Sequence, residues 1–314
     1  MRHRVLLQPG ALQPALEARL AAQYDTTHLP PAGTARDAFL AERGSDFEAL
    51  ATSARVGADA KLIAALPKLR VISSLGVGID TIDLDAARAH GVAVGYTPDV
   101  LNDCVADTAF ALLMDVARGA SAADRFVRRG DWLKGQFPMT TRVSGKRLGI
   151  LGMGRIGRVI ARRASGFDME VRYHNRSALT DVDYGYASTL KELAQWADFL
   201  VIASAGGAET RGLVSRDILD ALGPQGYLIN ISRGTVVDET ALVDALVHKR
   251  IAGAGLDVFE REPQVPEALF GLDNVVLLPH LASNTHETRA DMARRVEDNL
   301  AAYFAGKPLV SAAV

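Results

Sequence analysis

Leu148-Gly149-Ile150-Leu151-Gly152-Met153-Gly154-Arg155-Ile156-Gly157 joins an apolar run to the pattern Gly-x-Gly-x-x-Gly. A buried parallel strand needs the run, and a dinucleotide pyrophosphate needs the glycines after it. Gly152 permits the tight turn out of the strand. Gly154 has no side chain, so backbone N–H groups can approach the phosphates. Gly157 lets the next helix pack closely on the sheet and present its N-terminal N–H groups and positive dipole end to the anion. Glycines also punctuate ordinary loops, so the pattern alone is weak. Here the context is right on both sides, because Arg158-Val159-Ile160-Ala161-Arg162-Arg163 continues with helical spacing. The stretch reads as a site for a dinucleotide cofactor.

The chain has 314 residues, enough for two domains with separate cores. With 48% hydrophobic and 23% charged residues it has the composition of an ordinary globular protein. A net charge of −2 gives no reason to expect nucleic acid as a partner, since proteins that bind it usually carry a strongly basic face. The apolar stretch Val5-Leu6-Leu7 is too short for a signal-peptide core and reads as a first strand. No window approaches the roughly eighteen apolar residues of a membrane span. Cys104 is the only cysteine, so nothing points to an oxidising compartment, and a cytoplasmic location is expected.

Strand and helix patterns alternate along the whole chain, which favours parallel sheets covered on both faces. Val5–Leu7, Val71–Leu75 and Val92–Val94 are strand candidates before the glycine-rich unit, with helical stretches at Ala11–Gln23 and Lys61–Leu66. Thr97-Pro98 is a break, and apolar residues from Val105 to Val116 then keep a helical period. Val171–Tyr173, Phe199–Ala203, Tyr227–Ile231, Ala254–Val258 and Val275–Leu278 are further strands. Asn284-Thr285-His286-Glu287 resembles a capping box, and Gly306 with Pro308 ends the helix it opens. The expected fold is α/β, with two doubly wound parallel-sheet domains. A cofactor domain over 99–286 is inserted into a substrate domain built from 1–98 and 287–314, and a cleft between them is the natural active site.

The second strand of a dinucleotide fold ends on an acid, about twenty residues past the glycines, that binds the ribose 2′-hydroxyl. Here Met169-Glu170-Val171-Arg172-Tyr173 runs into His174-Asn175-Arg176-Ser177, with no acid at the strand's end; Asp168 precedes the strand and Asp181 lies beyond the turn. Arg176 can instead fork onto a 2′-phosphate, with Asn175 and Ser177 donating hydrogen bonds. This predicts NADP(H) in preference to NAD(H). The alternative is that Arg176 is a solvated turn residue and other groups hold the 2′-hydroxyl.

Three further strands deliver polar groups at their carboxyl ends, where open α/β sheets keep their sites. Leu228-Ile229-Asn230-Ile231-Ser232 runs into Arg233. Asp257 and Glu262 bracket the turn in Gly255-Leu256-Asp257-Val258-Phe259-Glu260-Arg261-Glu262-Pro263. Val276-Leu277-Leu278-Pro279 delivers His280. A guanidinium suits an anionic substrate and its neighbouring carbonyl. An imidazole suits proton donation, and a carboxylate beside it favours the protonated ring. Taken singly, each residue could equally be a salt-bridged or solvated group, and Glu260 competes with Glu262.

With the glycine motif, these segments resemble the D-2-hydroxyacid dehydrogenase family over nearly the whole chain. Leu75-Gly76-Val77-Gly78-Ile79-Asp80, Thr97-Pro98-Asp99-Val100-Leu101 and Val105-Ala106-Asp107 fall in the family's order. Within the family, the His-Asn-Arg-Ser turn, Ala205-Gly206-Gly207-Ala208-Glu209-Thr210 and the Leu75–Asp80 segment look most like NADPH-dependent glyoxylate and hydroxypyruvate reductases, including the branch acting on hydroxyphenylpyruvate. The resemblance implies a Rossmann-type domain inserted into a flavodoxin-like one. It also implies a catalytic trio of Arg233, Glu262 and His280 acting on a small 2-oxo acid, with D-stereochemistry of the product. Substrate contacts would come from Val77, Gly78, Arg233 and His280. Beyond the glycines and the Asn175–Ser177 turn, the implied cofactor contacts are Arg155, Ile156, Ala205, Ile231, Arg233, Asp257, His280 and Ser283; Asp257 alternatively only supports the loop of Glu262. Relatives usually dimerise through the region of Trp132, so a homodimer is expected. Two other readings stay open, an NAD-dependent dehydrogenase and a nucleotide-sensing binding protein like the family's co-repressors. His3, His28, His90, His174, His248 and His286 show no metal-ligand spacing, so no metal is expected. His286 either opens the last helix or lines the site.

Overall fold

The computed structural model describes residues 2–313 and divides into two compact units. One comprises the residues through Leu101 together with those from Asn284 on; the other is Asn102–Ser283.

The first unit holds a sheet of β1 (Arg4–Leu7), β2 (Asp25–His28), β3 (Ala49–Ser53), β4 (Val71–Leu75) and β5 (Ala93–Gly95). Its order is β2-β1-β3-β4-β5 and every ladder is parallel, the flavodoxin-like arrangement. Leu6, Phe47, Leu50, Ile63, Ile72 and Val94 are buried in its core. The helix His286–Phe304 packs on β4, where the Ser73 hydroxyl donates to the Val296 carbonyl. Its fully buried Asn299 spans Tyr96 O, Ser311 Oγ and Ser311 N–H, which ties the final turn to the sheet.

The second unit holds β6 (Arg147–Leu151), β7 (Glu170–His174), β8 (Gly185–Tyr186), β9 (Phe199–Ile202), β10 (Tyr227–Asn230), β11 (Gly253–Leu256) and β12 (Val275–Leu277). The order β12-β11-β10-β9-β6-β7-β8 is again wholly parallel. Counted from β6 it is the dinucleotide-binding order with one strand added, and the switch point lies between β6 and β9. The helix Asn102–Arg118 covers β10 and β11, and small residues let it approach: a Cβ on Gly255 would meet Leu112 Cβ at 2.8 Å. Leu200, Ile202, Leu228, Leu242 and Leu256 lie in this unit's core.

Sequence patterns and structure differ in places for identifiable reasons. β2 reads Asp-Thr-Thr-His and is a polar edge strand with one neighbour, so it has no apolar run to reveal it. β3 is wholly buried, but Ala-Leu-Ala-Thr-Ser is too small and polar to read as a strand. The last helix is capped by Thr285, whose side chain accepts from Thr288 N–H, not by Asn284 as the capping-box pattern suggests. Among the described residues, no helix is long and apolar enough to cross a membrane.

Candidate active site

The turn after β6 is shaped as a phosphate cradle. Gly152 has φ +100°, and a Cβ there would meet the Ser204 backbone N at 2.5 Å; a Cβ on Gly157 would meet the Gly152 carbonyl O at 2.2 Å. Around Gly154 a Cβ would find nothing within 4 Å, so the turn opens to free space where an anion would approach. The helix Arg155–Ala164 has no side-chain cap at Gly154, and its first turn, Arg155, Ile156 and Gly157, presents the positive end of the helix to the glycine turn. The Ser204 hydroxyl, beside this turn, is buried without a partner. These features fit a dinucleotide.

Asn175 Oδ1 accepts from Met153 N–H at 2.7 Å, so the end of β7 is tied to the glycine turn and only the amide NH2 of Asn175 remains to donate outward. Ser177 is exposed beside it. Arg176 is 90% exposed but not solitary: its Nη1 lies 2.8 Å from Glu209 Oε2. Asp181 is engaged by Arg158 at 2.8 Å and does not serve the strand end. Ala205 opens the loop after β9, and its carbonyl accepts from Thr210 Oγ1.

On the far side of the switch point, three loops bring three side chains together. Buried Asn230 closes β10: its Oδ1 accepts from Ser232 N–H and its Nδ2 donates to Arg233 O, which shapes the turn carrying Arg233. Ile231 is buried within that turn. A Cβ on the adjacent Gly234 would meet the Phe259 carbonyl carbon at 1.9 Å, so this turn rests directly on the backbone leading to Glu262. Glu262 Oε1 accepts from Phe259 N–H at 3.1 Å and Oε2 lies 2.8 Å from His280 Nδ1. Glu260 turns elsewhere, pairing with Arg211 at 3.2 Å.

His280 has φ +53°, a strained value for a residue with a side chain. Asp257 holds it there. The Asp257 carbonyl accepts from His280 N–H at 2.8 Å, and its two carboxylate oxygens accept from Leu281 and Ala282 N–H at 2.8 and 3.0 Å. Both oxygens of this fully buried group are therefore committed to the histidine loop. Burial raises its pKa, opposed by the two N–H donors and the charge of His280. Ser283 closes this unit just beyond that loop.

Burial also works against ionisation of Glu262. The hydrogen bond and charge of His280, the Phe259 N–H and the charge of Arg233 outweigh it, so the carboxyl titrates below its usual range. Glu262 thus stays ionised as pH falls through the ordinary carboxylate range, and its pairing with His280 is lost only at more acid pH. An ionised carboxylate has no proton to give, so Nδ1 carries the shared proton and Nε2 is left for chemistry.

In the first unit, the Val77–Gly78 segment comes directly after β4. Gly76, φ +134°, leads into it, held by Thr97 through Gly76 N–H to Oγ1 and Thr97 N–H to the Gly76 carbonyl, both 2.9 Å. His286 is the exposed first residue of the last helix. Among the described residues, no group of three or more His, Cys, Asp or Glu could hold a metal.

The D-isomer specific 2-hydroxyacid dehydrogenase NAD binding domain matches residues 110–282. The chain belongs to this family. It is 51% identical over 276 residues to a hydroxyphenylpyruvate reductase of Plectranthus scutellarioides, covering 88% of each chain. It is 49% identical over 270 residues to a glyoxylate/hydroxypyruvate reductase A of Arabidopsis thaliana, covering 86% of each. The crystal structure of an NADPH-dependent glyoxylate/hydroxypyruvate reductase from Sinorhizobium meliloti, in complex with NADP and malonate, superposes with a TM-score of 0.93 at 40% identity, over 100% of this chain and 97% of that one. The family resemblance and the two parallel-sheet domains read from the sequence both hold. The chain is similar to oxidoreductases and carries a dinucleotide-binding domain of their kind.

The sequence did not reveal Asn230 or Gly234 as supports of the site. A polar residue inside the apolar run Leu228–Ile231 was the available signal for Asn230; nothing local marks Gly234, whose constraint comes from the neighbouring loop. Gly234→Ala is expected to push the Arg233 turn off the Phe259 backbone and to lower stability by about 1–3 kcal/mol, as overpacking does. Thermal unfolding measures this, and an unchanged midpoint would show that the two loops have slack between them.

Proposed function

We propose that the chain reduces small 2-oxo acids, glyoxylate or hydroxypyruvate or a near relative, to D-2-hydroxy acids with NADPH. The observation that carries this reading is the 2.8 Å contact of His280 Nδ1 with an ionised Glu262. A proton donor so held, on the sheet that bears the glycine turn, is what the reaction would need, and this supports the reading.

The cofactor would be held by the Gly152–Gly157 turn, by Asn175, Arg176 and Ser177 at its 2′-phosphate, and by Ala205, Ile231 and Ser283 along its length. When bound, it supplies a hydride to the carbonyl carbon of the substrate. Arg233 binds the substrate carboxylate and polarises the carbonyl. His280 gives its Nε2 proton to the carbonyl oxygen, which completes the hydroxy acid. Glu262 takes the Nδ1 proton as a hydrogen bond and fixes the ring. Val77 and Gly78 are assigned backbone N–H donors to the substrate carboxylate on the family's pattern. Asp257 acts as a positioning residue, since both its oxygens already hold the histidine loop. A homodimer belongs to the same reading, supported by the apolar surface of Val127, Trp132, Leu133 and Met139, the last fully exposed.

His280→Ala should lower kcat for glyoxylate or hydroxypyruvate at least a hundredfold, in the range general acid catalysis contributes, while NADPH still binds. Turnover unchanged by the substitution would remove His280 as the donor. Arg176→Ala should weaken NADPH by tenfold or more, as expected for losing a charge-assisted contact to phosphate, and NADH much less. Titrating both reduced cofactors checks this, and equal losses would show that the 2′-phosphate is read elsewhere.

A further inference from the structure

β6 lies between β9 and β7 in the sheet. Arg176 comes just after β7, and Glu209 stands in the short turn Ala208–Thr210 after β9. Their 2.8 Å contact, between residues 33 apart in sequence, therefore runs across the carboxyl end of β6, over the turn of Gly152 and Gly154. In a dinucleotide fold this is where the adenosine ribose lies, between the pyrophosphate on the helix N-terminus and the end of the second strand.

Resting on the NADPH reading above, we propose that Glu209 supplies from the β9 loop the ribose-facing acid that the end of β7 lacks. Its carboxylate accepts a hydrogen bond from the 2′-hydroxyl of NADH and repels the 2′-phosphate of NADPH. Arg176 does the reverse, and the two residues together set the ratio in which the cofactors are used.

Both side chains stand on braced backbone. Asn175 is fastened to Met153 N–H, and Tyr186 OH donates to the Asn175 carbonyl. Thr210 Oγ1 bonds Ala205 O at 2.9 Å and Gly207 O at 3.3 Å. The pair itself is open to water, Arg176 90% and Glu209 79% exposed, and exposed pairs of this kind add little to folding. It is thus free to open. A doubly charged phosphate outcompetes one carboxylate for the guanidinium fork. Glu209 then remains near the phosphate. At a separation of roughly 6 Å in water-like surroundings, the repulsion amounts to about three- to tenfold in affinity, least at high salt.

Glu209→Gln keeps the shape and removes the charge. NADPH and NADH are titrated against the full chain by quenching of protein fluorescence, at low and high salt. The expected result is NADPH tightened about three- to tenfold at low salt, NADH weakened, and the NADPH gain shrinking as salt rises. Equal weakening of both would show that Glu209 only shapes its loop. Weakening of NADPH alone would show that it merely steadies Arg176, and no change in either would remove it from the cofactor site; each overturns the proposal. A Glu209→Ala variant giving the same ratio, with an unchanged melting midpoint, separates the charge effect from misfolding. Arg176→Ala in the same titration keeps the two readings apart. If it weakens NADPH selectively while Glu209→Gln does nothing, the NADPH reading stands and this proposal fails. If it weakens both cofactors equally, the NADPH reading fails and the proposal falls with it, whatever Glu209→Gln does.

Discussion

One hydrogen bond, 2.8 Å between an ionised Glu262 and His280 Nδ1, decides which nitrogen of the imidazole is available and how firmly the ring is held. Much of the surrounding backbone keeps that bond in place. Asp257 gives both carboxylate oxygens to the N–H groups after His280 and holds the residue at a φ that side chains rarely adopt. Gly234 lets the Arg233 turn lie against the Phe259 backbone, from which Glu262 takes a second donor. Removing Asp257 would leave two N–H groups without acceptors at a cost of about 1–3 kcal/mol each, comparable to the strain they restrain. The site is thus rigid because three loops share atoms at contact distance.

The same architecture separates the two sides of the second unit's sheet chemically. Near His280 the groups are buried or half-buried, and their surroundings move the carboxylates in opposite directions: Asp257 up, through burial, and Glu262 down, through His280, Phe259 N–H and Arg233 against burial. Near Arg176 and Glu209 the charges are almost fully exposed. Electrostatic effects there are small and sensitive to salt.

Much of this was legible along the chain, for physical reasons. Gly152 and Gly157 announce themselves because close approach of backbones excludes a side chain, and buried parallel strands show as apolar runs, complete in β9 and broken only by Arg147 at the start of β6 and Asn230 at the end of β10. Arg233 and His280 stand out because they follow apolar runs, whereas Glu262 lies in a polar turn beside Glu260 and stands out only through the family's order. What stayed hidden depends on neighbours distant in sequence. Nothing local says that Gly234 meets Phe259, that the carboxylate of Asp257 serves the loop of His280, or that an acid from the loop after β9 reaches the turn after β7. The edge strand Asp25–His28 escaped notice because solvent faces its side chains.

The most direct measurement is kcat for reduction of hydroxypyruvate, with NADPH affinity beside it, in the parent protein and in Glu262→Gln. The amide keeps the size of the side chain but removes the charged acceptor that fixes Nδ1 as the protonated nitrogen. Its loss should lower kcat about ten- to a hundredfold, as loss of a group that orients a working imidazole does, while NADPH binds as before. An unchanged kcat would show that the carboxylate does not position His280.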